Sequence, residues 1–276
     1  MKEKPFSKYQ ILANAVMIIW TLAIILPFIL LFMSSITDEN TLVANGYSFF
    51  PKKFSLASYS YIIKSGGQIL KAYGVSIGVT VVGTLLNVLL SALMAYPLSV
   101  KNLPGRNVMM FFVFFTMLFN GGIVPSYIMW TGTFHIKDTI FAQLLPNFLL
   151  SAWNVMMIRT YFTTSIPDGL YEAAEIDGAS QFTIFWKIVL PLGKPILVTM
   201  GTFAGLAYWN DWTNGLYYIV KNTGLYNVQN LLNQMVQNIQ FLTQSSNSNV
   251  TAAASTIPAT GIQMAIAFVA ILPIML

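Results

Sequence analysis

Apolar positions along this chain gather into six runs separated by shorter polar stretches, at about 11–36, 72–98, 108–130, 139–161, 192–212 and 257–276. Each run is close to the roughly 20 residues that a helix needs to cross the hydrocarbon of a bilayer. The pattern predicts an all-α integral membrane protein with six transmembrane helices.

Interruptions within the runs add detail. Pro27 is expected to bend the first span, because its missing amide leaves a carbonyl free. The segment 37–71, with SFFPKKFSLASYSYIIKSGG inside it, mixes aromatic and basic residues as an interface-hugging extracellular segment would. Gly74-x-x-x-Gly78 marks a packing face for close helix contact in the second span. In the third, NGGIVP from Asn120 to Pro125 admits two readings, a true break that exposes carbonyls or a simple kink at Pro125. The polar stretch 213–255 holds LYNVQNLLNQMVQNIQFL, whose Val228, Leu231, Leu232, Met235, Ile239 and Leu242 recur at helical spacing and predict an amphipathic helix. The sixth run reaches Leu276 without a basic anchor, so further C-terminal residues are expected.

Composition supports the membrane reading. Of 276 residues, 56% are hydrophobic and 8% charged, with a mean hydropathy of +0.66, against roughly 25% charged in soluble domains. A soluble domain of this size would need more polar cover than 14 basic and 9 acidic residues supply. The net charge of +5 comes from scattered residues, which suits anionic headgroups and not nucleic acid. Cys is absent and His135 is the single histidine, which excludes disulfides and disfavours a histidine metal site. The run after MKEKPFSKYQ lacks a small-residue cleavage pattern, so it is read as an uncleaved first span. With residues 1–10 on the cytoplasmic side, eight Lys and Arg fall in inner segments and six in outer ones, a slight bias toward that orientation.

Four of the nine acidic residues crowd into Asp168–Asp177, between the fourth and fifth runs, within 165–191. There SIPD resembles a capping box, with Ser165 as cap, Pro167 in the first turn and Asp168 three residues on. At helical spacing Leu170, Ala173, Ala174 and Asp177 share a face with Gly178 beside them, while Glu172 and Glu175 lie opposite. A second helix follows, with apolar positions 182, 185, 186 and 189, suited to lie under the headgroups until Pro191 turns the chain upward. Two short helices joined near Gly178–Ser180 would form a surface elbow.

Glu172-Ala173-Ala174, then Gly178, then Ile188-Val189-Leu190-Pro191 match the EAA loop of binding-protein-dependent ABC importer permeases, with its spacing intact. The likeness extends over essentially the whole chain and is nearest to carbohydrate permeases of the maltose and multiple-sugar type. PGRN after the second run, NGGIVPSY in the third, EIDGAS in the loop and YWNDW at 208–212 carry that branch. The resemblance implies a type I ABC importer permease fold in which 165–191 forms a cytoplasmic coupling helix. Glu172, Ala173, Ala174, Asp177 and Gly178 would then meet an ATPase. It implies two cytoplasmic ATPase subunits that bind ATP and Mg, a second permease subunit different from this chain, an extracellular solute-binding lipoprotein and a sugar substrate. The setting would be the bacterial cytoplasmic membrane, with 37–71 and 213–255 outside.

No G-x-x-x-x-G-K-[ST] occurs, so ATP chemistry and its cofactors are assigned to a partner and this chain is not itself an enzyme. Asn87, Asn120, Asn147, Asn154 and Asn210 are polar side chains in apolar runs, either satisfied by neighbouring helices or lining a substrate path. Trp209 and Trp212 are read either as sugar-stacking platforms or as interface anchors. Two rivals are a permease of the same design for a non-sugar solute, and an ion-coupled secondary transporter, for which Asp211 is the nearest approach to an intramembrane acid.

Overall fold

In the computed structural model, which describes residues 8–64, 66–146, 148–244 and 259–275, all regular structure is helical apart from one isolated bridge between Thr37 and Phe54. The chain forms two units, one from residues 1–69 and 231–276 and the other from 70–230.

In the first unit, α1 (Lys8–Ser35) realises the first apolar run as a single helix with Pro27 inside it. Segment 37–71 contains α2 (Glu39–Asn45) and α3 (Ala57–Lys64). The last helix, α15 (Ala259–Met275), packs on α1, with the Phe32 and Phe268 rings 4.9 Å apart. Its amino end is held from α2. Glu39 accepts the backbone amides of Thr260 and Gly261, each at 2.8 Å, placing negative charge where the helix dipole favours it.

The second unit is built on α4 (Gly66–Ser99, its first turn in the other unit), α5 (Arg106–Leu118), α8 (Ala152–Ser165) and α12 (Lys194–Asn210). Between them lie α6 (Ile123–Ile128) with a π turn at Met129–Thr133, α7 (Phe141–Leu144) and α9 (Asp168–Ile176). Then come α10 (Gln181–Ile184), a π turn at Phe185–Val189 and α11 (Leu190–Leu192). α13 (Thr213–Tyr218) and the start of α14 (Val228–Gln244) complete it. Val155, Ile158, Phe162, Ile184 and Val189 are fully buried together with Ala92 and Ala95, so α4 and α8 share one core with the segment after the elbow. Val228, Leu231 and Leu232 are buried, in keeping with the amphipathic helix expected there.

Tyr9–Ser35 and Gly67–Ser99 are each long and apolar enough to cross a membrane, and two bent pairs would raise that to four. The breaks decide between the two readings of the third run and correct two further expectations. The third run is broken, with α5 and the helix after Gly122 turned by 111°. Asn120 Oδ1 accepts the Gly122 amide at 2.8 Å, and Gly122 takes a φ of 86°, so the turn belongs to Asn-Gly-Gly. Pro125 falls in the first turn of α6, where its missing amide costs little. The fourth run, expected as one helix over 139–161, forms the short α7 and then α8, with Pro146 between them unable to donate a helical bond. Finally, the chain turns at Gly193 and not at Pro191, by 78° between 181–192 and 194–210.

Close helix packing uses a different small-residue motif from the one singled out. Gly74 and Gly78 have no neighbour within 4 Å of where a β-carbon would stand, and they line an open groove of about 460 Å³ with Lys71 and Val75. On α12, Gly201 and Gly205 lie against Thr84, Val88 and Thr80 of α4. The separation of four is the same, and here it leaves room for side chains of the facing helix.

Candidate functional site

The elbow between α8 and α12 concentrates the chemistry. α9 begins directly after α8, with only Ile166 and Pro167 between. Ser165 is the last residue of α8, and Pro167 occupies the cap position of α9 with no side-chain bond. The expected capping box is therefore absent, since a residue already helical cannot also take the extended backbone of a cap. Asp168 instead opens α9 and receives Lys101 Nζ at 2.5 Å. The side-chain cap lies further on, where Ser180 Oγ accepts the Thr183 amide at 3.2 Å and starts α10.

α9 ends in a Schellman closure. The Ala179 amide returns to the Ala174 carbonyl at 2.9 Å and the Gly178 amide to the Glu175 carbonyl at 3.0 Å. Gly178 takes a φ of 75°, a region that costs an L side chain roughly 1–2 kcal/mol. The glycine of the EAA spacing is thus required by the backbone, and no atom lies within 4 Å of its absent side chain.

The loop's faces divide differently from the expected patch. Ala174 is turned into the protein's own core together with Tyr171 and Ala179, while Glu172, Ala173, Glu175, Asp177 and Gly178 are exposed. Sequence reasoning missed Ile176, which is 86% exposed at the tip of the elbow beside Asp177 and Gly178. The signal was available as an apolar residue on the face opposite Tyr171 and Ala174. Leu170, Phe182 and Trp186 are also exposed, whereas Ile184, Phe185 and Val189 are buried. The exposed pair Phe182 and Trp186 and the buried pair Phe185 and Val189 are each four residues apart, so the apolar set divides into two adjacent lines along the helix. Burial pushes the Tyr171 phenol above its ordinary pKa, and nearby Asp168 acts in the same direction.

The asparagines separate into three groups. Asn87 and Asn154 are buried; Asn154 Nδ2 donates to Asn87 Oδ1 at 2.8 Å, and Asn87 Nδ2 donates to the Phe148 carbonyl at 2.6 Å. Their polar demand is met within the second unit. Asn120 and Asn210 are exposed and bonded locally, Asn120 to Gly122 and Asn210 to the Leu206 carbonyl. Asn147 lies outside the described residues. Trp209 is half-buried with its ring 6.2 Å from that of Tyr73, and Trp212 is exposed.

A denser polar group surrounds the end of α12. Asp211 Oδ1 accepts from the Thr213 amide, the Thr213 hydroxyl and the Asn214 amide, starting α13. Asn227 donates to the Asp211 carbonyl at 2.6 Å and Asn230 to the Trp212 carbonyl. Nearby, Asp138 Oδ1 accepts three successive amides, from Val220 and Lys221 at 2.7 Å and Asn222 at 3.2 Å. Those amides, that of Lys221 foremost, hold its carboxyl below the usual carboxylate range.

Residues 72–276 match the family described as "Binding-protein-dependent transport system inner membrane component". The chain is 36% identical over 251 residues to Protein LplC of Bacillus subtilis (strain 168), covering 91% of this chain and 82% of that one. It is 34% identical over 268 residues to the polygalacturonan/rhamnogalacturonan transport system permease protein YtcP of the same organism, covering 97% and 91%. A chain in the crystal structure of a bacterial ABC transporter involved in the import of the acidic polysaccharide alginate superposes with a TM-score of 0.80 at 25% identity. The superposition covers 99% of this chain and 96% of that chain.

Proposed function

This chain belongs to the family of binding-protein-dependent transport system inner membrane components, and we propose that it is the permease subunit of an ATP-driven importer of oligosaccharides. The fold is that of a type I ABC importer permease, an all-α membrane subunit that is not itself a catalyst. The sugar assignment is supported by the saccharides named for its relatives, polygalacturonan and rhamnogalacturonan for one and alginate for the structural neighbour.

The observation that carries the mechanism is the closed elbow of α9 and α10. It presents Glu172, Ala173, Ile176 and Asp177 outward while Ala174, Ile184 and Phe185 root it in the core shared by α4 and α8. A rooted elbow transmits a push, because packed helices move as bodies and do not deform continuously. Two cytoplasmic ATPase subunits, holding ATP and Mg, would close and displace the elbow. That displacement would convert an inward-facing cavity into one that receives solute from an extracellular binding lipoprotein. A differential contact of about 3 kcal/mol between the two states shifts their ratio by about two orders of magnitude. In this reading the elbow and residues 1–10 are cytoplasmic, the membrane is the bacterial plasma membrane, and a second, different permease completes the pore. Asn120, Asn147, Trp209 and Asn210 are the proposed residues along the path, with Asn87 and Asn154 as the alternative whose side chains are already bonded to each other.

The test is reconstitution of the four kinds of subunit in proteoliposomes, with uptake of labelled oligouronides and neutral oligosaccharides measured with and without ATP. Uptake of amino acids or peptides in place of saccharides would overturn the sugar assignment. The buried Asp211, whose Oδ2 has no hydrogen-bond partner among the described residues, is what would favour ion coupling. Uptake that persists without ATP and collapses with an ionophore would establish that alternative.

A further inference from the structure

The elbow is joined in space to a part of the chain far from it in sequence. A cleft of about 240 Å³ separates α9 from the turn that follows α4, and Ser99, Lys101, Asp168, Tyr171, Glu175 and Gln181 are among its walls. Three polar ties cross or border it. Lys101 Nζ donates to Asp168 Oδ2 at 2.5 Å, the Tyr96 hydroxyl donates to Gln181 Oε1 at 2.5 Å, and Gln181 Nε2 donates to Glu175 Oε1 at 2.9 Å.

Gln181 therefore has both ends of its amide committed to different helices. The carboxylate of Glu175 only accepts, so it takes the amide nitrogen and leaves the amide oxygen for the tyrosine hydroxyl. Tyr96 is buried in the last turns of α4, with its ring 5.4 Å from Phe185 and 6.5 Å from Tyr171. The end of α4 is itself fastened, because Arg159 Nε donates to the Leu98 carbonyl at 3.2 Å and Arg106 Nη1 to the Val100 carbonyl at 3.5 Å. One firm helix end thus meets the elbow through apolar packing of Tyr96 on Phe185 and Tyr171 and, at the polar edge, through one amide and an ion pair.

We propose that Gln181, with Tyr96, Glu175 and the Lys101–Asp168 pair, are positioning residues that yoke the end of α4 to α9. A displacement of α9 by a partner would then reach α4 directly. The inference rests on α9 being the coupling helix. α8 and α12 are joined to the elbow by the chain itself, but the covalent path from α9 back to α4 runs through α5, α6, α7 and α8. The ties supply the route the chain lacks. Lys101 and Asp168 are each 57% exposed, and exposed pairs add little to stability, so their loss should affect transmission more than folding.

The experiment compares Gln181→Glu, Glu175→Gln and the double exchange in the reconstituted complex, reading solute taken up per ATP hydrolysed and recovery of the ATPase subunits with the permease. Gln181→Glu sets two carboxylates against each other and should lower uptake per ATP on the order of tenfold, the effect of losing one hydrogen bond to a charged group, with ATPase recovery unchanged. Glu175→Gln keeps an acceptor for the Gln181 amide and should behave as wild type. The double exchange restores a donor opposite a carboxylate that still accepts from Tyr96, and should recover coupling. A wild-type ratio in Gln181→Glu, failure of the double exchange to rescue, or equal damage from Glu175→Gln alone would overturn the proposal. Absence of ATP-dependent uptake by the wild-type complex would instead overturn the importer reading on which it rests.

A second measurement uses the absence of native cysteine. Lys101→Cys with Asp168→Cys, bridged by a short bis-maleimide, should still permit ATP-dependent uptake, because yoked elements do not separate during the cycle. Loss of uptake on bridging would show that they do separate.

Discussion

Asn154 donates its side-chain amide to Asn87 at 2.8 Å, and Asn87 passes its own amide to the Phe148 carbonyl, so one buried chain of hydrogen bonds holds α8 and the irregular stretch before it to α4. This replaces the continuous helix expected over 139–161. Asn154→Leu should cost on the order of 1 kcal/mol and lower the thermal midpoint of the purified permease. If the pair is structural, the solute concentration for half-maximal uptake is unchanged. A change in that concentration with an unaltered midpoint would place Asn154 on the path.

Gly178 is required by its positive φ and not by crowding. Gly178→Asn should retain most ATPase recovery, because asparagine enters the left-handed region more readily than other side chains. Gly178→Val should reduce recovery on the order of tenfold, the equivalent of about 1.4 kcal/mol. Equal behaviour of the two variants would refute the backbone argument.

Ile176 is 86% exposed at the tip of the elbow. Ile176→Asp should leave the midpoint of the isolated permease unchanged, because an exposed site loses no packing. In pull-downs it should lose the ATPase subunits, as an apolar anchor at an interface would. Normal recovery would move the docking contact elsewhere on the loop.

Asp138 links pH to the loop at 220–222. Its folded pKa is depressed, so its contribution is present above the unfolded value of about 3.9 and disappears as pH falls through the folded value. Amide exchange of Val220, Lys221 and Asn222 should therefore show constant protection from pH 7 to about pH 5 and a loss only below the ordinary carboxylate range. In Asp138→Asn, which tolerates the same positive φ, protection should be lower and flat with pH.

Much of this protein was legible in the amino-acid order because the signals are local. Apolar runs of bilayer length specify helices whatever surrounds them, and α1 and α4 appear close to where the pattern put them. The spacing of Glu172, Ala173, Ala174, Gly178 and Pro191 marked the elbow, and Gly178 takes the positive φ that its place after a helix requires. The break at Asn120–Gly122 was visible as one of two readings for the same reason, since the local bond from Asn120 decides it.

What only tertiary structure decided are choices between local alternatives of similar energy. Ala173 and Ala174 are equivalent as residues, yet packing against α4 and α8 buries one and exposes the other. Gly74-x-x-x-Gly78 and Gly201-x-x-x-Gly205 have the same spacing, and the position of Thr80, Thr84 and Val88 selects the second. Gln181 is an ordinary first residue of a helix in sequence. It becomes a junction because Tyr96, 85 residues earlier, arrives within hydrogen-bond distance. Hydrogen bonds between distant segments depend on where whole helices pack, and no periodicity of the chain encodes that placement.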